Sequence, residues 1–319
     1  MDQELISASK IALFDCMNLK KNESLLIITD DPCKSIGYAL WQVAKEHGVE
    51  AVLTEIIPRK SHGEEPPDQI SILMKLFDVV LIPTSKSLSH TESRREASKS
   101  GVRIATLPGI SEETMKRALN SDYQDIALKS DKIAEILSSG NEVRILTDKG
   151  TDIVLNIIGR KGLSDTGLNY KKGDFSNLPA GEAYIAPLED KANGVIVFDG
   201  SMSGVGLLND DLIEVKVVDG YAVEIKGGKS ASKLNSIMEP HGKLAYNLAE
   251  LGIGTNENAL VVGNILEDEK ALNTIHIAFG DNKSMGGNIR VPSHLDGVIL
   301  SPTVIVDNNK IMEDGKLLI

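Results

Sequence analysis

Aromatic residues make up only 4% of this 319-residue chain, so its cores must be built from aliphatic side chains. Cysteine is scarcer still: Cys16 and Cys33 stand alone. Two thiols make no disulfide framework. They fit a reducing compartment and read as small buried hydrophobes. No apolar run approaches the roughly 18 residues that a membrane-spanning helix needs. The start, M-D-Q-E-L-I, lacks the basic-then-apolar pattern of a signal peptide. Positive charge is the minority sign, with a net charge of -12, and no Lys/Arg cluster offers nucleic acid a basic patch. Neither G-x-G-x-x-G nor G-x-x-x-x-G-K-[ST] follows a strand of the N-terminal half, so no nucleotide loop is expected there. These absences predict a cytoplasmic protein that binds neither membranes nor nucleic acid.

The length predicts two domains at about 150 residues each. Over the first 140 residues, strand and helix patterns alternate. Strands are expected at 24–29, 51–57, 78–82 and 102–107, with helices at 36–47, 66–76 and around 94–98. That alternation predicts a parallel sheet covered by helices on both faces. A further helical pattern covers 123–137, and Ser138-Ser139-Gly140-Asn141 is the strongest boundary signal. Beyond it strands dominate, at 142–147, 152–158, 194–198, 212–218, 221–226 and 298–306. V-V-D-G-Y marks a hairpin turn, because Asp-Gly tolerates positive φ. Helical patterns are confined to 232–237, 243–250 and 268–272. The expected fold is an N-terminal parallel α/β domain, 1–140, followed by a strand-rich α+β metal-binding domain, 141–319.

The chemistry gathers in the second half. His294 and Asp296, in S-H-L-D-G, are two residues apart on an extended strand, so both side chains leave one face. In T-I-H-I-A-F-G, alternation puts His276 opposite the aliphatic residues Ile275, Ile277 and Phe279. A lone strand histidine is more often a hydrogen-bonded structural residue. A His-x-Asp pair 18 residues on shifts the balance toward a shared site. Glu182 follows the Pro179–Gly181 turn at the start of a strand pattern. Glu250 ends the helical pattern K-L-A-Y-N-L-A-E, where the negative end of a helix dipole disfavours a carboxylate unless a cation compensates. Imidazoles and carboxylates together are a ligand set for divalent metals.

Four segments, N-L-P-A-G-E-A-Y-I-A-P, A-E-L-G-I-G-T-N, I-L-E-D-E-K-A-L-N-T-I-H-I-A-F-G-D-N and S-H-L-D-G-V, resemble, in order, the motifs of the aminopeptidase T/aminopeptidase S family of metallopeptidases. The resemblance covers about residues 175–300. It implies that Glu182, Glu250, His276, His294 and Asp296 hold two divalent ions, zinc, cobalt or manganese, in a cytoplasmic homodimer. Such a site would hydrolyse N-terminal residues of short peptides with a metal-activated water. The resemblance leaves the general base unassigned. The family's tyrosine seven residues after the motif histidine is replaced here by Lys283, which can bind a substrate carboxylate or an oxyanion. The chain is also shorter than typical members, with less sequence between His276 and His294. A related group of ring-cleaving dioxygenases acting on hydroxylated pyridines shares the fold and the His-x-Asp motif but uses one ferrous ion. Its two-histidine, one-carboxylate triad would fall on His276, His294 and Asp296.

Overall fold

A computed structural model describes residues 2–319. The chain divides into two compact units, Met1–Ala127 with Asp165–Ala180, and Leu128–Ser164 with Gly181–Ile319.

The first unit holds a parallel five-stranded sheet, ordered Glu50–Ile56, Ser24–Asp30, Val79–Thr84, Arg103–Pro108 and Phe175–Asn177. Its central strands are apolar almost throughout because both faces are covered. Leu25, Ile27, Val79, Leu81, Ala105 and Leu107 enter one core. The alternate residues Leu26, Ile28, Val80, Ile82 and Ile104 enter the other. Helices Lys34–Glu46, Asp68–Met74, Glu92–Lys99 and Glu112–Ala118 connect the strands. Thr91 and Ser111 cap the last two of these, each side-chain oxygen accepting the N–H three residues on. Cys16 and Cys33 are free and buried, as expected.

The fifth strand explains why the two units do not divide at 140. Residues Asp165–Ala180 belong to the first unit, where Phe175–Asn177 pairs with Arg103–Pro108. That pairing joins residues about seventy positions apart, which local composition does not report. The Ser138–Asn141 signal marks instead the end of the helix Tyr123–Ser139.

The second unit is antiparallel. One eight-stranded sheet runs Tyr221–Gly227, Ile213–Val218, Asn193–Phe198, Asp152–Asn156, Glu142–Leu146, Thr303–Val306, Asn309–Glu313, Lys316–Leu317. The other, seven-stranded, runs Gly206–Leu207, Ser201–Met202, His294–Leu300, Thr274–Gly280, Leu248–Gly254, Glu182–Ile185, Leu163–Asp165. A single aliphatic core includes inward residues of both, among them Ile153, Ile196 and Val215 from the first and Ile253, Ile275 and Ile277 from the second. The V-V-D-G-Y hairpin forms as expected, with positive φ at Asp219 and Gly220.

Two expectations are corrected here. The segment 243–250 is not a helix. A short 3₁₀ turn, Lys243–Tyr246, gives way to the fully buried strand Leu248–Gly254. At the junction Asn247 is buried, and its amide donates to the Gly280 carbonyl at 3.1 Å. Glu250 is therefore a mid-strand residue, and the helix-dipole argument for it does not apply. The single strand expected over 298–306 is two, His294–Leu300 and Thr303–Val306, separated at Ser301, which takes a positive φ. Among the described residues no helix is long and apolar enough to cross a membrane.

Candidate metal centre

The five ligand candidates share one face of the seven-stranded sheet. Cross-strand partners in an antiparallel ladder point the same way. Glu182 lies opposite Gly254, His276 opposite Gly252 and Val298, Asp296 opposite Ala278, and His294 opposite Gly280. The other face carries Ala183, Ile185, Leu251, Ile253, Ile275, Ile277, Phe279 and Ile299 into the core. His276 thus projects away from the aliphatic face, as its alternation predicted. Glu250 reaches the polar face through a bulge. The register shifts between Leu248, paired with Phe279, and Glu250, paired with Ala278. The extra residue lets Leu248 face the core while Glu250, two positions later, faces the site.

Small residues make the space. A Cβ on Gly252 would stand 2.0 Å from His276 Nε2, and one on Gly254 would stand 2.1 Å from the Ala271 carbonyl oxygen. The two glycines of L-G-I-G therefore admit the imidazole and the Lys270–Ala271 backbone over the sheet.

On that face carboxylates and imidazoles alternate. His276 Nε2 is 3.3 Å from Glu182 Oε2 and 3.6 Å from Glu250 Oε1. His294 Nε2 is 3.1 Å from Glu250 Oε2 and 3.2 Å from Asp296 Oδ1. Glu250 thus offers one oxygen to each ring. Among the described residues, three groups have ligand atoms all within 4.8 Å of one another: Glu182–Glu250–His276, Glu250–His294–Asp296 and Glu269–His276–Asp296. The Asp281 carbonyl lies 2.8 Å from His294 Nδ1. If Nδ1 carries the proton, it donates there and turns a free Nε2 toward the carboxylates. Glu182 Oε2 and His276 Nδ1 are buried without a hydrogen-bond partner among the described residues.

These groups perturb one another strongly. Burial disfavours charge on His276, and the crowded site does so less for the exposed His294, but the carboxylates override it on both. His276 rises to about 9, chiefly through Glu250 and Glu182, and His294 rises well above the usual imidazole range beside Asp296 and Glu250. Burial pushes Glu250 and Asp296 up, and the imidazoles more than reverse this, holding both carboxyls low. A donor set that draws protons onto its imidazoles in this way is suited to a divalent cation in their place.

Sequence reasoning missed two members of the cluster, Glu269 and Lys270. The run E-D-E-K read as a helical stretch over 268–272, whereas the helix there is Ile265–Asp268. Lys270 is only 1% exposed. Its ammonium donates to Glu182 Oε1 at 2.6 Å and Glu269 Oε1 at 2.7 Å. Burial pushes Glu269 up to about 8 against the pull of Lys270. A hint was present in the sequence: a charged run directly before a strand whose histidine must meet charge. Lys283 stands elsewhere. It is exposed, in the short turn Lys283–Met285, and makes no ion pair among the described residues.

A cavity of about 410 Å³ opens beside the cluster, lined by Ser201, Ser203, Val205, Asn264, Ile265 and Asp268 among others. Its wall is tied to the cluster: Ser203 N–H donates to the Asp296 carbonyl at 2.8 Å, and Ser203 Oγ accepts from Asp296 N–H at 3.1 Å.

Comparison with known proteins gives the geometry a family. The profile of the 2,5-dihydroxypyridine 5,6-dioxygenase family, NicX, matches residues 59–319, and the chain belongs to that family. No curated protein matches the sequence. Among solved structures, 2,5-dihydroxypyridine dioxygenase from Pseudomonas putida superposes with a TM-score of 0.85 at 16% identity, over 98% of this chain and 96% of that one. Wild-type AmpT from Thermus thermophilus superposes with a TM-score of 0.73 at 17% identity, over 99% of both chains. At such identities the structures share the fold alone. The family match favours the ring-cleaving reading of the sequence over the peptidase reading.

Proposed function

We propose that this member of the 2,5-dihydroxypyridine 5,6-dioxygenase family is a metal-dependent oxygenase that opens a small hydroxylated aromatic ring. The observation that carries the reading is the convergence of two imidazoles and Asp296 on one sheet face. Asp296 falls into one ligand group with His294 and Glu250 and into another with His276 and Glu269. Two histidines and one carboxylate form the set typical of a single non-haem ferrous ion. His276, His294 and Asp296 would hold that ion, with Glu250 between the rings. The ion would supply the redox-active, Lewis-acidic chemistry that ring opening by dioxygen needs.

The chain's own residues do the rest. The Asp281 carbonyl fixes the His294 ring. Gly252 leaves the room that His276 occupies. The cavity beside Asp296 has hydroxyl, amide and aliphatic walls and one carboxylate, Asp268.

One observation favours the dinuclear aminopeptidase as a second reading. Glu250 presents its two oxygens to different imidazoles, as a carboxylate bridging two ions would.

Metal content and turnover separate the two readings. Protein purified without chelator or added metal is analysed by elemental mass spectrometry, then assayed for oxygen uptake with 2,5-dihydroxypyridine and for release of amino acids from a peptide library. About one iron per chain with oxygen uptake is the expected result. Two zinc, cobalt or manganese ions with peptide cleavage would overturn it.

A further inference from the structure

Lys270 has no part in either reading, yet it occupies the middle of the site. A lysine buried this deeply is costly unless its charge is matched. The match is specific: Nζ donates to Glu182 Oε1 at 2.6 Å and to Glu269 Oε1 at 2.7 Å. Its place is set by the backbone. The Lys270 carbonyl accepts from Asn256 N–H at 2.9 Å, Lys270 N–H donates to the Glu267 carbonyl at 3.0 Å, and Gly254 leaves the space in which the segment crosses the sheet.

Four carboxylates face this cluster: Glu182, Glu250, Glu269 and Asp296. A single ion held by His276, His294, Asp296 and Glu250 leaves Glu182 and Glu269 over. Those are the two carboxylates that Lys270 binds. We infer that Lys270 keeps this centre at one metal ion, its ammonium standing between Glu182 and Glu269 in place of a second divalent cation.

The charge balance points the same way. Lys270 and one divalent ion bring three positive charges to the four carboxyl groups. A second ion would make the buried cluster net positive and would stand against an ammonium at hydrogen-bonding distance from its ligands. Without Lys270, two divalent ions neutralise the four carboxylates. The inference rests on the metal-centre reading above and deepens it, because it assigns the difference between a one-ion and a two-ion site on this fold to one side chain.

The test is a count of ions. Full-length protein, stripped by chelation, is titrated with cobalt(II). Bound ion per chain is measured by elemental mass spectrometry, and visible absorption reports the coordination. K270M removes the charge. K270Q also removes it but leaves an amide that can donate to both carboxylates, so one of the pair is expected to fold, as checked by circular dichroism. The wild type should take one cobalt per chain and the folded variant two, the second ion bringing a new absorption component. A folded variant that still takes one ion overturns the inference and leaves the single-ion reading standing. A wild type that takes two ions overturns both. A wild type that takes none overturns the metal centre and the inference with it.

Discussion

Gly252→Ala is a one-carbon change that tests the centre from its scaffold. Gly252 is in extended backbone, so the methyl brings no conformational strain, only volume. It would stand 2.0 Å from His276 Nε2, 2.1 Å from Cε1 and 2.9 Å from Cδ2, whereas ordinary contact begins at 3.4 Å. The ring must retreat from 2.0 to 3.4 Å, about 1.4 Å, while its backbone stays pinned between two neighbouring strands. Metal–ligand distances tolerate only about ±0.2 Å, so His276 ceases to be a ligand. Loss of a partner behind a ligand costs about 10–100-fold in metal affinity, and loss of the ligand should cost no less. Stability should suffer little. Overpacking costs about 1–3 kcal/mol, and alanine in place of a strand glycine returns about 0.5–1 kcal/mol. The assay is paired: calorimetric titration of stripped protein with the metal, and thermal melting of the same stripped protein. A large loss of affinity with a shift of only a few degrees is expected. Metal binding at wild-type affinity in a folded G252A protein would refute the reasoning.

Gly297→Ala is the mirror experiment. Its Cβ would meet Phe198 at 2.4 Å and Met202 at 2.5 Å on the core face, so melting should show a loss of about 1–3 kcal/mol with metal affinity largely kept. His294→Ala should abolish metal binding and turnover together, and a variant retaining either would remove His294 from the site. Stripped protein should lose thermal stability as pH rises, between about 4.5 and 8 through Glu269 and between about 6.5 and 9 through His276. The folded state holds His276 up at about 9 and Glu269 at about 8, and a raised folded value gives stability that is complete at low pH and lost as pH climbs through it. Melting of stripped wild type and of H276A across that range checks this. An equal slope in the two proteins would detach the effect from His276.

The sequence by itself determined a good deal. Apolar runs separated by helical patterns specify a sheet covered on both faces, because continuous burial needs no alternation. Alternation around His276 and across His294 and Asp296 specifies that all three leave the apolar side, because strand side chains have a period of two. Tertiary structure decided what those rules do not reach. Glu250 was read at a helix end, and only the pairing of Leu248–Gly254 with its neighbours, with a bulge, turns it into the central carboxylate. The E-D-E-K run reads as a solvated face. Docked over Gly254, it buries Glu267, Asp268 and Lys270 and brings an ammonium onto Glu182, 88 residues earlier in the chain. The Phe175–Asn177 strand joins a sheet whose other members end at Pro108. In each case the deciding contact lies between residues far apart in the chain, and a local pattern carries no record of what a segment will be folded against.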